Sequence, residues 1–302
     1  MKDKIPVVLD TDIGTDIDDT WALAFLLKCP ELDLKMVLTD TGDTIYRAKL
    51  AAKFLEIAGR TDVPVGVGLQ FKDSRYYMQE WLAGYKLQNY SGKIYKDGVA
   101  AFIDTVMQSK EKITLICISS MPNIAAAIEA EPRIVKKLKF VGMQGSIYRG
   151  YDGKKKPDAE ANVKYHTESC LKVFSTLKDI VISPLDTCGT IRIKGNQYKK
   201  IIQSKDPVLE ALIENYRIWK KNVEWPVSCD IKKESSVLFD TAAVCLAFEE
   251  KYFKMKKLKI RISEDGMTIP DKSGIYVRAA IEWRDKKGFI DMLVDRLTGA
   301  SC

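Results

Sequence analysis

The chain has 302 residues, 46% apolar and 29% charged, the proportions of a globular protein rather than a disordered or fibrous one. Its 48 basic and 41 acidic residues leave a formal net charge of +7, too modest and dispersed for a nucleic-acid binder. No apolar run approaches the ~18 residues that would span a bilayer.

In chain order, the opening Met1–Pro6 leads at once into a first strand, Val7–Leu9, so no signal peptide is expected. Five aspartates follow within ten residues: Asp10, Asp12, Asp16, Asp18 and Asp19. So many carboxylates repel one another unless a cation or protons neutralise them, and carboxylate oxygens suit hard cations. Thr20–Lys28 reads as an apolar helix that Asp18 or Asp19 could cap. Leu34–Leu38 is a second strand. Ile45–Ala58 is an amphipathic helix with Ala48, Ala51, Ala52, Leu55 and Ala58 on one face. Val63–Val67 is a short strand, and residues 69–97 are irregular and rich in aromatics.

A helix is predicted over Val99–Gln108, a buried strand over Ile113–Ile118 and a helix from Pro122, proline being well suited to a first turn. Leu138–Met143 is a strand, followed by a loop, Gln144–Ala159, that carries the basic run Lys154–Lys156. Glu168–Leu177 reads as helix, Ile180–Ser183 as strand, Asn196–Lys221 as helix and Asn222–Ser235 as loop. Thr241–Phe248 is an apolar helix. Strands Leu258–Ile262 and Ile275–Ile281 and a helix, Lys286–Leu297, close the chain. This alternation predicts an α/β fold: a single domain over 1–302, with an open, mostly parallel mixed sheet and helices on both faces. The seven cysteines are scattered with no Cys-x-x-Cys pair, which points to a reducing, cytoplasmic setting; Cys117 and Cys245 read as buried thiols.

Four stretches carry candidate chemistry. The aspartate run stands at the carboxyl end of a strand, where α/β proteins place sites. Asp240 lies between an apolar segment and an apolar helix, as a site carboxylate or an N-cap. Ser119–Ala125 links a buried strand to a helix and exposes backbone groups. Glu160 and Asn162 stand two apart, so on an extended segment they face the same way and suit vicinal hydroxyls. His166, the only histidine, stands at a helix start and reads as structural, and no nucleophile-elbow motif is present.

Together, and in this order, these segments resemble the inosine-uridine-preferring nucleoside hydrolases. The opening run is similar to that family's aspartate cluster, in the variant with two residues inserted before the last Asp-Asp pair. Asp43 falls where the family has Gly-Asn, Ser119–Ala125 where it has Gly-Pro-Leu-Thr-Asn-Ile-Ala, and Met143, Glu160 and Asn162 match its sugar-binding segment. Asp240 matches the aspartate of its His-Asp-Pro segment.

The resemblance implies a Rossmann-like fold and a Ca²⁺ held by Asp12, Asp19, the Pro122 backbone carbonyl and Asp240, with Asp10 behind them. Asp18, Asp43, Met143, Glu160 and Asn162 would hold the ribose. The implied reaction is hydrolysis of a nucleoside N-glycosidic bond, a metal-bound water attacking C1′ with Asp12 as general base. It also implies a homodimer or homotetramer acting on a small-molecule nucleoside in salvage, with no nucleic-acid or membrane partner.

This chain departs from the family's pattern in three places. Phe239 stands where purine-handling members have a proton-donating histidine, Asp43 replaces an asparagine, and Lys154 falls near the expected contact to the ribose 5′-hydroxyl. Asp16 lies in the insertion. Tyr76, Trp81, Trp225 and Phe239 are candidate contacts of the base, and a tyrosine hydroxyl is a candidate acid. Two other readings fit parts of the sequence. One is a ribose- or nucleoside-binding protein without efficient turnover, motivated by Phe239. The other is a Mg²⁺ phosphatase of the haloacid-dehalogenase type with Asp10 as nucleophile.

Overall fold

The computed structural model describes residues 3–72 and 75–299. The first half runs β1 (Ile5–Thr11), α1 (Asp18–Leu27), β2 (Leu32–Thr39), α2 (Thr44–Ile57), β3 (Val65–Val67), α3 (Gln79–Leu82), β4 (Ile94–Tyr95), α4 (Gly98–Gln108), β5 (Ile113–Cys117), α5 (Pro122–Ala130) and β6 (Leu138–Gly142). The second half runs α6 (Ala161–Lys164), α7 (Thr167–Thr176), β7 (Ile180–Ile182), α8 (Leu185–Cys188), α9 (Gly195–Ile202), α10 (Pro207–Asn222), α11 (Thr241–Leu246), β8 (Phe253–Ile262), β9 (Thr268–Pro270), β10 (Ile275–Trp283) and α12 (Lys286–Thr298).

Among the described residues, ten strands form one sheet in the order β4-β3-β2-β1-β5-β6-β7-β10-β8-β9. Neighbours are parallel from β4 through to β10, while β8 and β9 add antiparallel. The predicted mixed, mostly parallel α/β sheet is therefore what the chain forms. Between β1 and β5 the strand order reverses, and such a switch point opens a crevice at the carboxyl ends of the strands.

The central strands are buried on both faces, so they read as unbroken apolar runs. Within β1, Val7 and Leu9 face one helical layer and Val8 the other. Pro6 is tolerated in this central strand because pairing with β5 begins only at Val7. One layer packs α1, α2, α10, α11 and α12 against the sheet, the other α4, α5 and α7. From Trp21 to Leu26, α1 is buried on every side, as an apolar helix without a polar stripe must be.

Several boundaries differ from the sequence reading. Neither Asp18 nor Asp19 caps α1: both lie inside its first turn, and the cap position is Ile17, without a side-chain bond. The helix expected over 196–221 is two helices, because Asp206 and Pro207 start a second one. Cys117 and Cys245 are buried free thiols. Among the described residues, no helix is long and apolar enough to cross a membrane.

Candidate active site

The carboxyl end of β1 delivers the aspartate loop. Gly14 turns it at φ +108°, where a Cβ would meet the Leu50 side chain at 2.6 Å and the Tyr46 ring at 2.8 Å, so only glycine fits. Beneath the loop lies Arg47 of α2. Its Nε donates to the Thr41 carbonyl (2.6 Å) and its Nη2 to Thr15 Oγ1 (2.8 Å), while Nη1 donates to the carbonyls of Ile13 (3.1 Å) and Asp12. Helical spacing places Arg47 on the stripe of Leu50, Ala51 and Phe54, an arginine on a buried face, which was the available signal for a role that the sequence reading missed.

Asp18 and Asp19 enter from the first turn of α1, whose N-terminal end favours negative charge. Asp240 arrives at the start of α11, and its N–H donates to Asp18 Oδ2 at 3.3 Å. One carboxylate oxygen each from Asp18, Asp19 and Asp240 lies within 4.8 Å of the others, all three residues being buried. Asp12 lines the same cavity but stands outside this triplet, with Oδ2 4.0 Å from Arg47.

Burial pushes the carboxyls of Asp19 and Asp240 well up, and repulsion from their neighbours adds to it. Burial likewise raises Asp18 to about 7 and Asp16 well above the ordinary range. Burial also raises Asp12, although Arg47 opposes it. Three converging buried carboxylates, all oxygen donors, fit a hard divalent cation; without one they must hold protons.

Behind this group, Asp10 accepts from Ser119 Oγ (2.7 Å) and Asn123 Nδ2 (3.2 Å) and does not line the cavity. The phosphatase reading thus lacks an accessible nucleophile. Asp40, which the sequence reading passed over, is also buried, and no donor reaches its Oδ2. Burial and the adjoining Asp10 push its carboxyl well up, so a proton there lets Asp40 donate to Asp10.

The opposite side of the cavity comes from the segments after β6. The expected extended segment is absent: Glu160 is the N-cap of α6, and Asn162 lies in that helix's first turn. Glu160 Oε1 accepts from the Asn162 N–H (2.7 Å), and Oε2 accepts from Gly145 N–H (2.8 Å) and Val163 N–H (3.3 Å). Asn162 Nδ2 donates to the carbonyls of Met143 (3.0 Å) and Ile118 (3.3 Å). Glu160, Asn162, Met143 and Ile118 all line the cavity. Burial raises Glu160 to about 7 despite the three N–H donors that favour its ionised form.

The cavity, about 420 Å³, has aromatic walls. Trp219 and Trp225 meet edge to face at 6.1 Å, and Tyr77 backs Trp225 at 5.3 Å. The Trp219 indole N–H donates to the Thr15 carbonyl at 3.1 Å, tying this wall to the aspartate loop. Opposite, Phe239 meets Tyr151 edge to face at 5.9 Å. Tyr151, Arg75 and Arg192 also line the cavity, and the sequence reading did not single them out.

Five expected contacts lie elsewhere. Asp43 spends one oxygen capping α2 through the N–H groups of Ile45 and Tyr46 and accepts from Tyr76 Oη with the other, so neither Asp43 nor Tyr76 lines the cavity. Trp81 is buried, its indole donating to Glu214. Lys154 is exposed beyond the wall. Pro122 opens α5 at the end of β5 but does not line the cavity. His166 sits against Phe71, ring centroids 4.6 Å apart, also off the cavity wall.

The sequence pattern described as inosine-uridine preferring nucleoside hydrolase matches residues 7–291. The chain is 25% identical over 279 residues to a protein named probable uridine nucleosidase 2 of Arabidopsis thaliana, covering 88% of this chain and 84% of that protein. It is 29% identical over 226 residues to a non-specific ribonucleoside hydrolase of Klebsiella pneumoniae, covering 71% and 73%. A solved plant nucleoside hydrolase superposes with a TM-score of 0.82 at 20% identity, covering 98% of this chain and 99% of that one. A purine-preferring ribonucleoside hydrolase from Gardnerella vaginalis gives 0.77 at 19% identity, covering 97% and 98%.

Proposed function

This chain belongs to the inosine-uridine preferring nucleoside hydrolase family, and we propose on that premise that it hydrolyses the N-glycosidic bond of ribonucleosides to free base and ribose. The observation that carries this reading is the convergence of Asp18, Asp19 and Asp240 at an aromatic-walled cavity that Asp12 also lines. Acidic oxygens suit a cation and a sugar's hydroxyls, while flat apolar walls suit a planar base.

In this reading Asp19 and Asp240, with Asp12, would hold Ca²⁺, and Asp18, one oxygen of which lies within 4.8 Å of oxygens of Asp19 and Asp240, would share it or accept from the ribose 2′-hydroxyl. When bound, the cation would acidify and orient a water molecule. Asp12 accepts the proton of the attacking water. Asn162 and Glu160 hold ribose hydroxyls from the far side, and Met143 packs beside them. Departure of the base runs ahead of water attack, leaving positive charge on the ribosyl ring that the surrounding carboxylates stabilise. Asp10, braced by Ser119, Asn123 and Asp40, positions the strand end and touches no substrate. Asp43, which caps α2, carries no step.

The test is release of reducing sugar from a panel of purine and pyrimidine ribonucleosides, with and without a Ca²⁺ chelator. Release that the chelator abolishes and Ca²⁺ restores is expected. Tight nucleoside binding with no release would instead support the binding-protein reading.

A further inference from the structure

Residues 191–193 run antiparallel to residues 235–238. Ser235 N–H donates to the Ile193 carbonyl at 3.0 Å and Leu238 N–H to the Ile191 carbonyl at 2.9 Å, while Ile193 N–H donates to Ser235 Oγ at 2.9 Å. This pairing sets Arg192 beside the segment that ends in Phe239 and Asp240. Its side chain lines the cavity and is 18% exposed.

Its two hydrogen-bonding and ion-pair contacts among the described residues are long. Nη1 reaches the Ser235 carbonyl at 3.4 Å, and Nη2 lies 3.7 Å from Asp152, whose carboxylate is 70% exposed. Arg47, by contrast, has four oxygen acceptors, each within 3.1 Å. A guanidinium carries five N–H donors in a planar fork, so Arg192 retains donor capacity on a cavity wall shared with Phe239 and Tyr151. A planar heterocycle stacked on those rings would present its edge to that fork. The carboxylates are gathered on the floor, so a sugar held there directs its base toward the aromatic walls.

Resting on the function proposed above, we infer that Arg192 recognises a keto oxygen on the edge of the leaving base and stabilises the charge that departs with it. The C1′–N bond breaks with its electron pair passing to the base, and conjugation delivers negative charge to the keto oxygen, where the Arg192 N–H groups bind it. Water supplies the oxygen to C1′ and its proton to Asp12. The departing base takes a proton from solvent, and the guanidinium transfers none. The substrate class is therefore ribonucleosides whose base bears a keto oxygen within reach of that fork. This arrangement does without a proton donor at Phe239.

The experiment compares kcat/KM for uridine and inosine with that for 4-nitrophenyl β-D-ribofuranoside, whose phenolate leaves unaided, in wild type, Arg192→Ala and Arg192→Lys. The expected result is that the nucleoside-to-riboside ratio falls ~10²-fold in Arg192→Ala, the lower end for losing one charge-stabilising donor. Arg192→Lys should lose less, and added guanidinium should partly restore the ratio in Arg192→Ala. A ratio left unmoved, or equal losses on all substrates, overturns the inference and leaves the hydrolase reading standing. A wild type that cleaves neither the nucleosides nor the riboside overturns both.

Discussion

At the residue scale, Asp12 lies between two influences: burial holds its proton on, and Arg47 draws it off. A carboxylate whose proton affinity burial raises is a stronger base than an ordinary one. Asp12→Asn should lower kcat by ~10²-fold or more, read from ribose release, the lower end for losing a positioned base; near-normal turnover would remove Asp12 from that role. Glu160 gives a test of burial itself. Its carboxyl moves from an ordinary 4.5 to about 7 in the fold, so between those values the folded chain binds more protons than the unfolded one. The contribution of this group to stability therefore falls as pH rises from about 4.5 to about 7, and is level above that. A glutamine does not titrate, so the melting temperature of wild type minus that of Glu160→Gln should drop across this window. A difference that stays constant with pH would show that Glu160 ionises as it does in water. The aspartates were legible because so many carboxylates in a row after an apolar strand are costly without a purpose. Arg192 was not legible: a lone arginine between two isoleucines carries no period, and only its pairing with residues 235–238 turns it toward the cavity.

At the element scale, long apolar strands and helices followed directly from the sequence, because burial on both faces or on one stripe leaves a regular pattern. The short elements α3, α6, α8, β4 and β9 were missed, since a few residues complete no period. The cost of missing α6 was a wrong reason for Glu160 and Asn162: a helix cap, and not an extended strand, turns both to the cavity. Asp43 makes the complementary case. It satisfies two otherwise unpaired N–H groups at the start of α2, the helix that carries Arg47. Asp43→Ala should destabilise the chain by about 1 kcal/mol, the typical value for a lost N-cap, measured by urea denaturation. An unchanged midpoint would mean that the start of α2 is held by other contacts.

At the scale of the molecule, alternation of strands and helices predicted the class of fold, but nothing local announced the strand order. That order follows from which hydrophobic faces find each other across nearly a hundred residues, as when β10 pairs with β7 while β8 folds back outside it. The candidate site inherits this non-local character. Its floor uses the end of β1 and the starts of α1 and α11, and its walls combine Trp219 of α10 and the start of α6 with segments between elements. The two parts are built under different constraints. Asp18 and Asp19 are carried by α1, which is buried on every side, so a change that shifted this helix would disturb the core as well as the carboxylates. Of the walls, Trp219 lies in the same core as α1, while Arg192 and Trp225 come from segments between elements. A change in α1 therefore bears on folding and on the site at once, whereas one at Arg192 or Trp225 bears on what the cavity receives.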